Sequence, residues 1–193
     1  EQTYFKIRVG SLRPDTPLPF DLYVSLGKRY VHYQHKDTPI PDEKIAKLKD
    51  SDQFFVPDNQ RQAFKDFVYK SMNEEGIDVS TKARILRDTS LSLVEEVFSK
   101  RDVSEALEES KELISGFVSL IDTAPDSVAH LIQLSSHDFY TFNHSLDVSI
   151  YSMGIGKMLK YSDEDMVELG RGSLFHDIGK KWVAAEIICK NGS

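Results

Sequence analysis

The sequence predicts an α+β domain at the N-terminus, followed by an all-α domain that is incomplete in this chain. Apolar and polar residues alternate through positions 4–35, where basic side chains separate Phe5, Ile7 and Val9. From Asp78 onward, the apolar residues recur at the three- and four-residue spacing of helices. We therefore expect three segments: a small α+β domain at 1–76, a helical linker at 77–125 and the helical domain at 126–193.

The first domain opens with strands. After the strand around Ile7, the pattern predicts in order a hairpin of strands at 20–26 and 30–34 joined at Gly27-Lys28, a short helix after Pro39, a strand at 54–56, and a helix reaching about Met72. Asp58 is placed to cap that last helix, because a carboxylate can accept from the free N–H groups of a first turn. Strands paired with two short helices make a compact α+β unit.

The remainder of the chain is predicted to be a succession of helices. They are a helix opened by Ser80 or Thr81, one opened by Asp102 or Ser104 and ending before Pro125, a short one at about 128–134, a longer one carrying His144 near its start and reaching Leu159, and one ending at Phe175. Ser162 and Asp165 form a Ser-x-x-Asp capping pattern before the last of these helices. An all-α second domain follows from this succession.

Charge and composition restrict the functional classes. The net charge of −7 argues against a protein that binds duplex DNA or general RNA, which would carry a basic face. A small phosphate diester stays open, since bound metal ions would supply the positive charge. A single cysteine, Cys189, provides no disulfide framework and suits a cytoplasmic protein. No apolar run reaches the ~18–20 residues that span a bilayer, so we expect no membrane partner.

The strongest chemical signal is His-Asp-Ile-Gly-Lys at 176–180, with His144 upstream. Imidazole and carboxylate together suit a metal site that activates water, and a carboxylate can bridge two ions. If the stretch is helical, Lys180 follows His176 by one turn and could hold a phosphate oxygen. The plainer interpretation makes Asp177 a cap and leaves Lys180 and Lys181 as solvated charges. A second pair, His137-Asp138, reads as a helix start capped by its aspartate.

These motifs resemble the HD-GYP family within the HD superfamily of metal-dependent phosphohydrolases. The resemblance covers about 126–193, and its parts are His144 with Val148 as His-x-x-x-Val, the lead-in at 138–145, the central motif at 173–180, and the segment at 187–192. The family's remaining metal histidines, its distal aspartate and its Gly-Tyr-Pro signature would fall beyond Ser193. The resemblance thus implies an HD-type helical domain.

The resemblance also implies a reaction, hydrolysis of cyclic di-GMP to a linear dinucleotide or GMP in bacterial signal transduction. His144 and His176 would be metal ligands, Asp177 a shared or bridging ligand, and Lys180 the group that holds a substrate phosphate. Mixed nitrogen and carboxylate ligation favours iron, with manganese as the alternative. Tyr140 stands where some members carry a glutamate that supports a third metal. Phenol replaces carboxylate poorly at neutral pH, so we expect two divalent metal ions.

Two other functions remain open. One is an HD phosphohydrolase acting on other nucleotides or on phosphate monoesters. The second is a catalytically silent HD domain that binds a cyclic dinucleotide or a protein partner. The stretch at 20–24 and the following hairpin resemble a small regulatory domain, which leaves a ligand or protein partner open there.

The remaining histidines receive structural interpretations. His32 and His35 are interpreted as surface residues on or near a strand rather than as ligands, and His130 as a partly buried helix residue. The remainder of the HD-GYP domain, beyond Ser193, is expected to cover an apolar face of the helical domain. That face would include parts of four side chains: Ile150, Leu174, Ile178 and Ile187.

Overall fold

The computed structural model describes residues 2–27, 29–47, 53–99, 104–124, 126–134, 141–184 and 187. The chain divides into two compact units, Glu1–Ser92 and Leu93–Ser193. An α+β unit is therefore followed by a helical one, as the sequence predicts. The boundary between them falls within one long helix, Val79–Ser99. The finer division into 1–76, 77–125 and 126–193 stays a prediction.

The N-terminal unit contains a four-stranded antiparallel sheet in the order β1-β4-β2-β3. Its elements are β1 (Tyr4–Arg8), β2 (Leu22–Leu26), β3 (Arg29–Gln34), the one-turn helix α1 (Asp42–Ile45), β4 (Gln53–Pro57), α2 (Arg61–Asn73) and the first part of α3 (Val79–Ser99). The hairpin of β2 and β3 turns at Gly27, whose φ of 65° suits glycine. The predicted hairpin is therefore present and turns at Gly27, while Lys28 lies outside the described residues.

The core of this unit explains the alternating sequence. Phe5 and Ile7 in β1 are buried, whereas the intervening Lys6 is partly exposed. Phe20 makes edge-to-face contacts with Phe64 and Phe67 of α2, at ring-centroid distances of 5.5 and 5.6 Å. Such contacts add to the free energy of apolar burial. One apolar face of the sheet is therefore covered by a helix.

Two capping predictions are wrong in detail. The N-cap of α2 is Gln60, and Asp58 instead opens a short 3-10 turn and lies 3.3 Å from Arg61 Nη2. At the start of α3, the Asp78 carboxylate accepts from the Thr81 backbone N–H at 2.9 Å and from its hydroxyl at 2.7 Å. Asp78, rather than Ser80 or Thr81, therefore caps that helix.

Within its described residues, the helical unit contains the end of α3 and four further helices, α4 (Ser104–Thr123), α5 (Ser127–Gln133), α6 (Thr141–Met158) and α7 (Asp163–Phe175), then a 3-10 turn at Ile178–Trp182. The predicted cap of α7 is confirmed, since the Asp165 backbone N–H donates to Ser162 Oγ at 3.2 Å. The predicted end of that helix at Phe175 is also confirmed. His137, Asp138 and the alternative cap Asp102 lie outside the described residues.

Close backbone packing joins α6 to α7. Ser149 Oγ donates to the Gly170 carbonyl at 2.7 Å in the buried interior. A methyl group at Gly170 would lie 2.7 Å from Ile114 Cγ2 and 2.8 Å from Met153 Sδ, so any larger residue would force these side chains to shift. This contact fixes α7 against α6 and α4, and with it the end of α7 where the His-Asp motif begins.

The predicted exposed apolar face is only partly present. Ile150 and Leu174 are fully buried, so the prediction is wrong for them, because α4, α6 and α7 bury these faces against one another. Ile178 is partly buried and Ile187 is exposed. The exposed apolar side chains on α6 lie instead near its C-terminal end: Tyr151, Ile155 and Met158. None of the helices among the described residues is long and apolar enough to cross a membrane.

Candidate metal centre

The structure brings His144, His176 and Asp177 together. His144 lies in the first turn of α6, and His176 caps the C-terminus of α7 with Asp177 directly after it. Asp177 Oδ2 is 3.8 Å from His144 Nε2 and 3.3 Å from His176 Nε2. One ligand atom from each residue lies within 4.8 Å of the other two. Two helices thus supply a nitrogen–nitrogen–oxygen donor set.

Apolar neighbours on both sides of the motif hold it in place. Phe175 precedes the His-Asp pair and Ile178 follows it, and both pack against the buried cluster of Leu93, Val97 and Ala106. Since the chain is anchored on either side, the two polar side chains between the anchors have little freedom to leave the site. Phe175 and Ile178 therefore position the candidate ligands without joining their chemistry.

A backbone carbonyl orients the imidazole of His176. His176 Nδ1 lies 2.6 Å from the Ser173 carbonyl oxygen, one of the carbonyls that a helix end leaves without a helical partner. A carbonyl can only accept, so Nδ1 carries the proton in this contact. In the neutral ring, Nε2 then presents its lone pair toward Asp177. This is the tautomer that a metal-ligating histidine requires, and such an outer hydrogen bond commonly fixes it.

The carboxylate of Asp177 pairs with the ammonium group of Lys180 and does not cap a helix among the described residues. Lys180 Nζ donates to Asp177 Oδ2 at 2.5 Å, and this hydrogen bond lowers the pKa of the Asp177 carboxyl. Partial burial opposes the shift, while the charges of His176, Lys180 and His144 reinforce it. Asp177 begins the 3-10 turn Ile178–Trp182, and its side chain makes no capping hydrogen bond within the described chain. The capping interpretation of Asp177 is therefore wrong.

The helical spacing that the sequence suggested for Lys180 is not the one observed. The α-helix ends at Phe175 and a 3-10 turn follows, so Lys180 pairs with Asp177 at i+3 rather than flanking His176 at i+4. Lys181 donates instead to the Val97 carbonyl at 3.1 Å and lies over the Trp182 ring. The two lysines therefore differ: Lys180 pairs with the Asp177 carboxylate, and Lys181 joins the motif to α3.

The donor set fits a metal ion. Metal–ligand bonds of about 2.0–2.2 Å place neighbouring ligand atoms roughly 3–3.5 Å apart, close to the 3.3 and 3.8 Å observed. The side chain of Asp177 is 18% exposed, whereas those of His176 and His144 are 36% and 54% exposed. Their rings lie 5.4 Å apart at 67°. The candidate site is thus largely buried at its carboxylate and more exposed at its imidazoles.

Several sequence-level expectations were incomplete. The role of the Ser173 carbonyl was missed, although a histidine at the C-terminus of a predicted helix indicates such a contact. The surface position predicted for His35 is confirmed, whereas His32 is half-buried, and both cluster with Asp21. His130 is partly exposed in α5, as predicted. Tyr140 and most of the lead-in at 138–145 lie outside the described residues, so the expected number of metals stays a prediction.

Parts of this chain are similar in sequence to two cyclic dinucleotide phosphodiesterases. No protein-family model matches the chain. The chain is 26% identical over 112 residues to a cyclic di-GMP phosphodiesterase of Pseudomonas aeruginosa, PA4108, covering 57% of this chain and 27% of that protein. It is 43% identical over 53 residues to 3'3'-cGAMP-specific phosphodiesterase 3 of Vibrio cholerae, covering 28% of this chain and 12% of the relative.

A solved structure extends the similarity to the fold. Bd1817, an HDGYP protein of Bdellovibrio bacteriovorus, superposes with a TM-score of 0.69 and 22% identity, covering 94% of this chain and 62% of that one. The chain therefore spans less than two thirds of each of these proteins. Together, the partial sequence matches and the shared fold confirm the resemblance of this chain to the N-terminal part of HD-GYP family proteins.

Proposed function

We propose that this chain contributes part of a metal-dependent phosphodiesterase centre that hydrolyses cyclic di-GMP to a linear dinucleotide or GMP. The observation that carries the proposal is the convergence of His144, His176 and Asp177 within 4.8 Å. The partial similarity to a cyclic di-GMP phosphodiesterase supports the substrate class. The proposal concerns the natural protein that contains this sequence, because the chain covers 27% of that relative.

The proposed ligands have separate tasks. His144 and His176 would each give one nitrogen, and Asp177 would give carboxylate oxygens that two ions can share. Bound divalent ions would lower the pKa of a water molecule and stabilise negative charge on the phosphodiester. Two imidazoles with a carboxylate suit iron, with manganese as the second choice. We propose two ions, because Tyr140 offers no carboxylate for a third.

Lys180 is proposed to hold a phosphate oxygen of the substrate. Its ammonium is partly exposed and pairs with Asp177 Oδ2, the same oxygen that faces both histidines. If Asp177 binds cations through that oxygen, Lys180 is released toward the open side of the site. A substrate phosphate arriving there would then replace the carboxylate as its partner.

A second candidate substrate is 3'3'-cGAMP. The match at 43% identity is to an enzyme specific for that dinucleotide, although it covers only 53 residues. Both substrates are cyclic dinucleotides with two phosphodiester bonds, so the ligand chemistry would be the same. The choice between them depends on how the bases are recognised.

The experiment is a substrate panel measured together with metal content. The natural protein, loaded anaerobically with Fe²⁺ or Mn²⁺, is assayed on cyclic di-GMP, 3'3'-cGAMP and a phosphate monoester. We expect turnover of a cyclic dinucleotide that is lost in His144→Ala and retained in His130→Ala, whose histidine lies outside both candidate metal clusters.

Each result has a defined meaning. Turnover of the monoester alone would replace this proposal by another HD phosphohydrolase. Dinucleotide binding without hydrolysis by the metal-loaded protein would indicate a catalytically silent domain. Equal turnover in the His144→Ala and wild-type proteins would contradict the assigned ligands.

A further inference from the structure

The N-terminal unit contains its own group of two histidines and one aspartate, Asp21, His32 and His35. Asp21 directly precedes β2, His32 lies within β3, and His35 directly follows β3. One ligand atom from each of the three lies within 4.8 Å of the others. All three belong to one hairpin, so they converge without any other part of the chain.

Both imidazoles approach the same carboxylate oxygen. Asp21 Oδ1 lies 3.2 Å from His32 Nε2 and 3.9 Å from His35 Nδ1. The two rings lie with centroids 4.0 Å apart and a tilt of 36°. Ligand atoms around a zinc ion with bonds of about 2.0–2.2 Å are separated by similar distances, roughly 3–3.5 Å. The distances from Asp21 Oδ1 to the two imidazole nitrogens are therefore close to those expected around such an ion.

An irregularity of the hairpin produces this convergence. Tyr23 pairs with His32 but the adjacent Leu22 pairs with Gln34, so the register shifts at this point. In a regular strand, residues three apart point to opposite faces. The register shift leaves Tyr33 as an extra residue between His32 and His35, which changes the alternation of faces and lets the two imidazole rings lie side by side.

Hydrogen bonds from Gln60 and from the Lys36 backbone N–H fix the orientation of the Asp21 carboxylate. Gln60 Nε2 donates to Asp21 Oδ2 at 2.9 Å, while Gln60 Oε1 accepts from the Asp21 backbone N–H at 2.7 Å. Partial burial raises the pKa of Asp21, but hydrogen bonds from Gln60, the Lys36 backbone N–H and His32 outweigh it and lower the pKa to about 2. Asp21 is therefore ionised and fixed, with Oδ1 directed toward the histidines.

We propose that Asp21, His32 and His35 bind a divalent transition-metal ion of the zinc type, in a site separate from the candidate metal centre of the helical unit. Two imidazoles and a carboxylate are a common donor set for such ions, and the set leaves coordination positions open for water. Gln60 would act as the outer hydrogen-bond partner that orients the carboxylate. The proposal does not depend on the proposed phosphodiesterase activity.

A cation accounts for the arrangement better than the hydrogen bonds alone. One oxygen, Asp21 Oδ1, faces two imidazoles and also accepts from the Lys36 N–H at 3.1 Å. Two adjacent protonated rings would repel each other, whereas two neutral rings can direct their lone pairs at one ion. The exposed position of His35, whose side chain is 81% exposed, gives an ion direct access.

The test is a titration of the full chain with Zn²⁺ in a His176→Ala, Asp177→Ala background, which removes the other candidate cluster. Calorimetry is expected to give one zinc ion per chain. Adding His35→Ala or His32→Ala should weaken binding by at least about tenfold, and Gln60→Ala by roughly tenfold to hundredfold. His130→Ala is the matched control and should leave binding unchanged. Because His35 is largely exposed, its removal is not expected to affect folding.

Cobalt supplies a spectroscopic readout. Co²⁺ bound to the cluster should give visible absorption bands that disappear in His35→Ala and persist in His130→Ala. Zinc binding that survives loss of both histidines would overturn the proposal. The proposal would also be overturned if the folded His176→Ala, Asp177→Ala protein bound no zinc. Hydrogen bonds alone would then hold the three side chains together.

Discussion

The helical unit and the N-terminal unit each assemble two histidines around one aspartate, but they hold the carboxylate differently. Asp177 is paired with the ammonium of Lys180 at 2.5 Å. Asp21 is held by the neutral amide of Gln60 and the Lys36 backbone N–H. The aspartate of the helical cluster therefore has its charge partly compensated, whereas that of the hairpin cluster keeps its charge for the histidines or an ion.

This difference separates two kinds of chemistry. A mobile cation beside a metal ligand can transfer to an arriving phosphate, which suits a reaction centre. A carboxylate that is hydrogen-bonded to a glutamine has no neighbouring cation that could move to a substrate. Such an arrangement suits a site that binds an ion for structure or sensing. Two histidines and an aspartate therefore do not by themselves indicate the chemistry of a site. The group that hydrogen-bonds to the carboxylate is needed to distinguish a reaction centre from a site that only holds an ion.

The largest expected effect comes from removing ligands of the helical cluster. His176→Ala and Asp177→Ala should each lower metal affinity in the natural protein and reduce turnover by at least about a hundredfold. The helices should persist in circular dichroism, since Phe175 and Ile178 keep their apolar contacts. Metal analysis with steady-state kinetics checks this. If both variants keep wild-type metal content and turnover, the helical cluster has no role in catalysis.

Lys180→Ala tests the exchangeable cation directly. Loss of one charge-assisted hydrogen bond to substrate should cost about 1.5–3 kcal/mol, or roughly a tenfold to hundredfold reduction in kcat/KM, with metal content retained. Lys181→Ala is the matched control. Its ammonium donates to the Val97 carbonyl, so its removal should lower stability and leave kcat/KM near normal. If kcat/KM is near normal in both variants, Lys180 does not hold a substrate phosphate.

The packing beneath the helical cluster should be sensitive to a single methyl group. Gly170→Ala should destabilise the protein by about 1–3 kcal/mol, because its Cβ would lie 2.7 Å from Ile114 Cγ2. Gly172→Ala, two residues along α7, meets no heavy atom of the described chain within 4 Å and should stabilise by roughly 0.5–1 kcal/mol. Urea unfolding measures both changes. Zinc binding at the hairpin should not change in either variant.

The smallest expected effect concerns a carboxylate that serves structure alone. Asp78→Ala should destabilise the protein by about 1 kcal/mol through loss of the α3 cap. The hydrogen bonds from Thr81 lower the pKa of Asp78 below its ordinary 3.8. Its stabilisation is therefore complete above that pH and is lost as the pH falls through the folded-state pKa. Urea unfolding of variant and wild type should show the full difference at neutral pH and a smaller one at a pH well below 3.8.

Local patterning in the sequence predicts most of the elements. Alternation around Phe5 and Ile7 predicts β1 because a strand that buries one face needs apolar residues at every second position. Ser162 and Asp165 predict the start of α7 because the cap forms within a single turn. The His-Asp-Ile-Gly-Lys motif likewise indicates the family resemblance, since its residues are contiguous.

Contacts between distant residues required the tertiary structure. The sequence alone placed His176 and Asp177 next to each other at the end of a predicted helix, and it singled out His144 upstream as a candidate third ligand. The distance of 3.8 Å between His144 and Asp177 depends on how α6 packs against α7, which a helical period does not encode. Asp21, His32 and His35 converge because a register shift overrides the two-residue period of a strand, so their cluster was decided by the tertiary structure alone.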